Sequence, residues 1–141
     1  MWPLKDDSFA LREWKRILKK NGRLIITVPA FKFLWSSHDE ICHHYRRYSK
    51  STMIQVLKGV GFSIDRISFW NFSLFFPVYL IRVLQRCFPG DKKEHGDQLY
   101  ELNPVINNAL FQLLRLENRL LNVINFPIGI SICAIASKPK V

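Results

Sequence analysis

The chain has 141 residues, 48% of them hydrophobic, which suits one domain around one core and excludes a disordered polypeptide. Its formal net charge of +10 is large for that length and draws nucleic acid, anionic lipid or anionic substrates, but it carries no information about fold. The basic residues are dispersed, with small clusters only at Lys15-Arg16, Lys19-Lys20 and Arg46-Arg47, unlike the dense runs of ribosomal and chromatin proteins.

In chain order, Asp6 or Asp7 caps a first helix, on which Ala10, Leu11, Trp14, Ile17 and Leu18 recur at helical spacing. Lys19 and Lys20 suit its negative end, and Gly22 is expected to take the left-handed stop. Arg23 to Val28, "RLIITV", is a short β-branched run between Gly22 and Pro29 and reads as a buried strand. Residues 29 to 48 form a long connection with no clean period, and connections of that kind are often functional. Ser49 or Ser51 opens a second helix with Met53, Val56, Leu57 and Val60 on its inner face, and Gly61 ends it. Phe62 to Trp70 follows as a strand whose alternation slips between Ile64 and Ile67, as a bulge would make it.

The remainder is a helical stretch, then a last strand. Phe72 to Phe88 is helical in pattern, with Pro77 either kinking or starting the helix. The apolar run Phe69 to Ile81 is too short to span a bilayer and meets Arg82 and Arg86 at once, so it predicts a buried or interface-facing helix. Pro89 to Asp97 is a polar linker. Asn103-Pro104 opens a further helix striped by Ile106, Leu110, Leu113, Leu114, Leu120 and Leu121, so that residues 72 to 122 read as a helical insertion. "ISICAIA", within Ile128 to Ala136, is apolar on both faces and reads as a central strand. The order describes the tail of an open α/β sheet, in a single domain over residues 1 to 141.

One stretch stands out chemically: "HDEICHHYRRY", His38 to Tyr48. A structural zinc site wants four ligands, usually in spaced pairs, and His38, Asp39, Cys42, His43 and His44 have no second pair nearby, so no metal is expected. Arg46, Arg47 and Lys50 beside Tyr45 and Tyr48 have the chemistry to stack on bases and hold phosphates, but no binding fold accompanies them and no specific nucleic acid is expected. Loops after the carboxyl ends of strands line the ligand crevice of open α/β sheets, which favours a substrate-side loop. A bracing role, with His44 and Arg46 tied to Asp39 and Glu40, stands equal beside it. Cys42, Cys87 and Cys133, odd in number and widely spaced, fit free thiols in a reducing compartment. The expected localisation is cytoplasmic, with peripheral membrane contact left open.

From Asp6 to Glu40 the residues resemble class I S-adenosylmethionine-dependent methyltransferases of the type 11/type 12 group. The Leu18-Lys19-Lys20-Asn21-Gly22 turn is similar to the turn that feeds that family's fifth strand. A subset continues with segments like His38-Asp39-Glu40, His43-His44 and Arg46-Arg47-Tyr48, and ends in a strand like Pro127, Gly129, Ser131 capped by Lys138-Pro139. The resemblance implies a Rossmann-like sheet of order 3-2-1-4-5-7-6, of which this chain supplies strands 5, 7 and 6 with flanking helices. It further implies that His38, Asp39, His44, Arg46 and Tyr48 face or shape a methyl-acceptor pocket, with His38 and His44 as candidate bases and Phe31, Phe33 and Trp35 as an apolar wall. The family's S-adenosylmethionine site, a Gly-rich turn after the first strand and an acidic residue after the second, is not found. Trp2-Pro3 stand where relatives carry Glu-His, and the match begins near Leu4. The expectation is therefore a C-terminal portion with no cofactor-binding residues, inactive alone, whose strand-5 edge invites self-association. Its parent would methylate a small or lipid-linked acceptor. The alternative is a non-catalytic basic module that binds nucleic acid, anionic membrane or a protein partner.

Overall fold

A computed structural model describes residues 6–36, 39–40, 45–87 and 103–139. The elements are α1 (Asp7–Ile17), β1 (Arg23–Pro29), a 3-10 turn (Lys32–Leu34), α2 (Lys50–Gly59), β2 (Ser63–Trp70), α3 (Phe72–Cys87), α4 (Pro104–Leu121) and β3 (Ser131–Ser137). The fold class is mixed α/β, a three-stranded sheet with flanking helices. Its strand order is β1-β3-β2, and β3 runs antiparallel to both neighbours. The last strand in sequence is therefore the central one, as its apolar character predicts.

Local chemistry sets the helix starts. Asp6 caps α1 by accepting from the Phe9 amide at 2.9 Å, and Ser49 caps α2 by accepting from the Thr52 amide at 3.1 Å. Asn103 accepts from Val105 at 2.9 Å, with Pro104 in the first turn of α4. The first turn of α3 is capped from a distance: the Phe72 amide donates to Glu117 of α4 at 2.6 Å and the Ser73 amide at 3.1 Å. Pro77 lies inside α3, which neither starts nor ends there.

Several sequence expectations are corrected. The left-handed residue after α1 is Asn21 (φ 59°), not Gly22. Gly22 is needed for space, because a Cβ there would meet the Lys19 carbonyl oxygen at 2.8 Å. Ile17 is not on the inner face of α1 but 68% exposed. Phe69 and Trp70 belong to β2, so the apolar run to Ile81 is split between a strand and a helix. The slip in β2 is present as a register shift between Ile64 and Arg66.

The core lies on one face of the sheet. Ile26 and Val28 of β1, Ile132, Ala134 and Ala136 of β3 and Phe69 of β2 meet Leu11 of α1 and Met53 and Leu57 of α2. The opposite face is only partly covered. On β2 it is closed by the segment after α4: Arg66 donates to Asn125 Oδ1 at 2.7 Å and to the Ile124 carbonyl at 2.8 Å, and the Phe126 amide donates to Ser68 Oγ at 2.9 Å. On β1 the face is open, with Ile25 69% exposed beside Thr27. "RLIITV" is thus half-buried, not buried on both faces. Its outer edge pairs with no strand among the described residues.

The Lys138-Pro139 end of β3 is tied back under α1. The Lys138 amide donates to the Gly22 carbonyl at 3.0 Å and its ammonium to the Leu18 carbonyl at 2.8 Å. Gly129 leads into β3 against β2, where a Cβ would stand 2.4 Å from the Trp70 carbonyl oxygen.

Candidate functional site

A cleft of about 420 Å³ opens at the carboxyl end of β1, the end at which open α/β sheets bind ligands. A second hollow, of about 320 Å³, lies at the opposite end of the strand, lined by Arg23, Asp65 and Lys138. Strand polarity favours the first. Its walls are Phe31 and Phe33 on one side and Arg46, Arg47, Tyr48, Ser49 and Thr52 on the other, with Lys32 between.

Backbone geometry places these groups. The Tyr48 amide donates to the Pro29 carbonyl and the Phe31 amide to the Tyr48 carbonyl, both at 2.9 Å, so the chain after the loop returns beside the end of β1. Phe31 is held at φ 56°, a conformation a bulky residue rarely adopts. Strain of about 1–3 kcal/mol is typical of such positions. Offsetting contacts are visible: the Phe31 ring stacks on Phe69 at 5.0 Å and on Phe33 at 5.1 Å, and meets Phe75 of α3 edge-on at 5.8 Å.

Two ion-paired knots brace the loop. In the first, Asp7 accepts from both the Tyr48 hydroxyl and the Arg46 guanidinium, while Arg46 Nε donates to the Tyr48 oxygen at 3.0 Å. The Arg46 guanidinium also lies 5.4 Å from the Tyr48 ring centre. Burial, and then the Asp7 carboxylate, push the Tyr48 phenol above its ordinary pKa, so it stays protonated as a donor. For Arg46, burial works against the charge, but Tyr48 and Asp7 outweigh it and hold the guanidinium above its usual value.

In the second knot Asp39, fully buried, takes Arg47 in a fork at 3.0 and 2.9 Å and accepts from the Ser36 amide at 3.0 Å. Arg47 also donates to the Ala30 carbonyl at 2.9 Å. Arg82 of α3 stands in the same neighbourhood. Burial, then the Arg47 charge, lower its pKa, with Asp39 opposing.

The sequence-nominated residues divide accordingly. Arg46 and Tyr48 line the cleft. Asp39 lies beneath it, engaged with Arg47. Phe31 and Phe33 form part of the wall, whereas Trp35 is no part of the lining and donates to Glu40 at 3.5 Å. His38 and His44, with Cys42 and His43, lie outside the described residues. Asp39 is joined to Arg47 and Arg46 to Asp7, whereas the bracing alternative tied His44 and Arg46 to Asp39 and Glu40. The sequence reading missed Asp7 and Lys32, and no local signal in the sequence marks a partner 39 residues away.

The cleft does not fit S-adenosylmethionine. A sulfonium and an ammonium would face Lys32, Arg46 and Arg47, and among the described residues no carboxylate lines the cleft to offset them or to hold a ribose. The chain does contain one Gly-x-Gly triplet, Gly59-Val60-Gly61, but it does not supply the missing turn. It ends α2 and enters β2, a helix-to-strand turn, whereas a phosphate or cofactor cradle leads from strand to helix. Among the described residues no group of three potential metal ligands occurs.

No protein-family model and no curated protein matches the chain. Among solved structures it is similar to phosphoethanolamine N-methyltransferase 2 of Haemonchus contortus, solved in complex with S-adenosyl-L-methionine. The identity is 20% over 97% of this chain and 31% of that one, with a TM-score of 0.46. The chain thus spans 31% of that neighbour's length.

Proposed function

We propose that this chain is the acceptor-side, C-terminal flank of a class I S-adenosylmethionine-dependent methyltransferase of the type 11/type 12 group, with the donor held by sheet beyond the free edge of β1. The observation that carries the reading is the strand order β1-β3-β2 with an antiparallel middle strand, which has the 5-7-6 pattern that the sequence resemblance implies. The one-sided pairing of β1 supports it, since strand 4 would add there.

On this reading the cleft receives a small or lipid-linked methyl acceptor. Phe31 and Phe33 exclude water from one wall, and the Arg46 guanidinium, held by Asp7 and Tyr48, orients an anionic part of the acceptor. His38 and His44 are the candidate bases for removing the acceptor's proton. No residue of this chain is assigned to the donor, and the chain alone is inactive.

Isothermal titration with S-adenosylmethionine tests the proposal. The chain alone is expected to show no micromolar binding, and a polypeptide extended upstream through an in-frame Gly-x-Gly turn is expected to bind. Clear micromolar binding by this chain alone overturns the fragment reading. An extended polypeptide that folds and does not bind overturns the methyltransferase reading.

A further inference from the structure

α4 is 18 residues long, yet Glu117 is its only buried residue. Leu110, Leu114 and Leu121 turn partly inward, while Ile106 (52%), Leu113 (44%) and Leu120 (43%) repeat along the outside. Leu116 is 54% exposed near them. α3 adds Leu80 at 58% and Leu84 at 48%. An isolated helix of this length is marginal in water and draws its stability from a covered apolar face. Exposed apolar residues repeating along one helix in this way mark an interaction site.

Charge identifies the occupant. α4 carries two exposed cations, Arg115 and Arg119, and its one carboxylate, Glu117, is buried as the cap of α3, whereas Arg82 and Arg86 of α3 turn toward the cleft, Arg82 beside Arg47 and Arg86 onto the Phe33 carbonyl. α4 therefore shows an apolar stripe and two exposed cations with no exposed acid, in a chain of net charge +10. Added sheet is a poor candidate for covering it, because α4 is anchored to β2, the edge opposite β1. Trp70 Nε1 donates to Asn118 Oδ1 at 2.8 Å, and Arg66 to the Asn122 carbonyl at 3.2 Å. Among the described residues no helix is long and apolar enough to cross a membrane. An amphipathic cationic helix of this kind lies in the headgroup plane.

We infer that α4, with the exposed residues of α3 beside it, docks on an anionic lipid surface. The apolar stripe enters the acyl boundary, and Arg115 and Arg119 meet lipid phosphates. The inference is independent of the methyl-transfer reading, because it uses neither the cleft nor a donor.

The test is flotation of the full chain with vesicles of phosphatidylcholine alone or mixed with phosphatidylglycerol. Binding to the anionic vesicles is expected, weakening as salt rises. Leu113→Glu/Leu120→Glu is expected to abolish it. Arg115→Gln/Arg119→Gln is expected to weaken it about 25-fold, at about fivefold per cation near the surface. These side chains are exposed, so far-ultraviolet circular dichroism should be unchanged. The distant exposed pair Lys19→Gln/Lys20→Gln should cost much less. Absence of binding, equal binding to neutral vesicles, or equal losses from both charge variants overturns the inference. So does a self-association that Leu113→Glu/Leu120→Glu breaks while vesicle binding persists, since a second copy would then be the occupant.

Discussion

Replacing Asp39 by Asn probes the knot beneath the cleft. The carboxylate is fully buried, and the Arg47 side chain that it holds in a fork is only 11% exposed. Asn keeps the volume and one acceptor for the Ser36 amide, but it leaves the guanidinium with a single weak partner on that side. Breaking a buried pair by removing one charge costs about 3–5 kcal/mol. The retained Ser36 bond and the Arg47 contact to the Ala30 carbonyl favour the lower end, about 3 kcal/mol. At a urea slope of about 2 kcal/mol per molar, the unfolding midpoint falls by about 1.5 M. Removing the stranded cation as well, in Asp39→Asn/Arg47→Met, should restore most of that loss, because an apolar replacement of a whole buried pair is often near neutral. Urea titrations of the four proteins in the cycle, followed by tryptophan fluorescence, measure both quantities. A cost for Asp39→Asn below about 1 kcal/mol would refute the reasoning, since that is how an exposed ion pair behaves.

Three further outcomes are expected. Tyr48 has a raised folded-state pKa, so its contribution to stability is present below the unfolded value of about 10 and is lost as pH rises through the folded one. Tyr48→Phe should therefore lower stability at pH 7 and flatten the fall above about pH 10, and unchanged alkaline curves would contradict this. Gly129→Ala should destabilise by about 2 kcal/mol or more because its Cβ would meet the Trp70 carbonyl, whereas Gly59→Ala, with open space around it in α2, should gain up to about 1 kcal/mol. Ile25→Lys puts a charge on the open face of β1. It should reduce self-association in sedimentation velocity and change stability by no more than about 0.5 kcal/mol, and undiminished association would place the contact elsewhere.

What was legible in the sequence was local. The caps Asp6, Ser49 and Asn103 act within three residues, and the bulge after Ile64 breaks a two-residue period, so both leave a signature in the chain itself. The central placement of the last strand was legible because all of its residues from Ile132 to Ala136 are small or apolar. What was not legible came from distance. Glu117 reads as one polar residue on a helix, and only the fold brings it to the amides of Phe72 and Ser73. The Asp7–Arg46–Tyr48 knot joins the start of α1 to the end of the loop, while sequence proximity suggested partners inside the loop. Ile17 and Ile25 fit the apolar pattern yet lie open, because a pattern records which residues suit a core and not whether a partner element is present to cover them.

The uncovered apolar residues of β1 and of α4 define two surfaces of different chemistry at opposite edges of the sheet. At β1 the open face carries Arg23, Ile25 and Thr27 beside an outer edge that pairs with no strand among the described residues, a surface that would extend by strand pairing. At α4 the apolar stripe lies on a helix that also carries the exposed Arg115 and Arg119, a surface whose attraction to anions falls off within a Debye length and weakens as salt rises. The two are therefore separable by experiment. Ile25→Lys should alter association between copies and leave vesicle binding intact, and Arg115→Gln/Arg119→Gln should do the reverse. If either substitution moved both readouts together, a single uncovered surface would account for both edges, and the assignment of β1 to a missing sheet and of α4 to a lipid surface would fail at once.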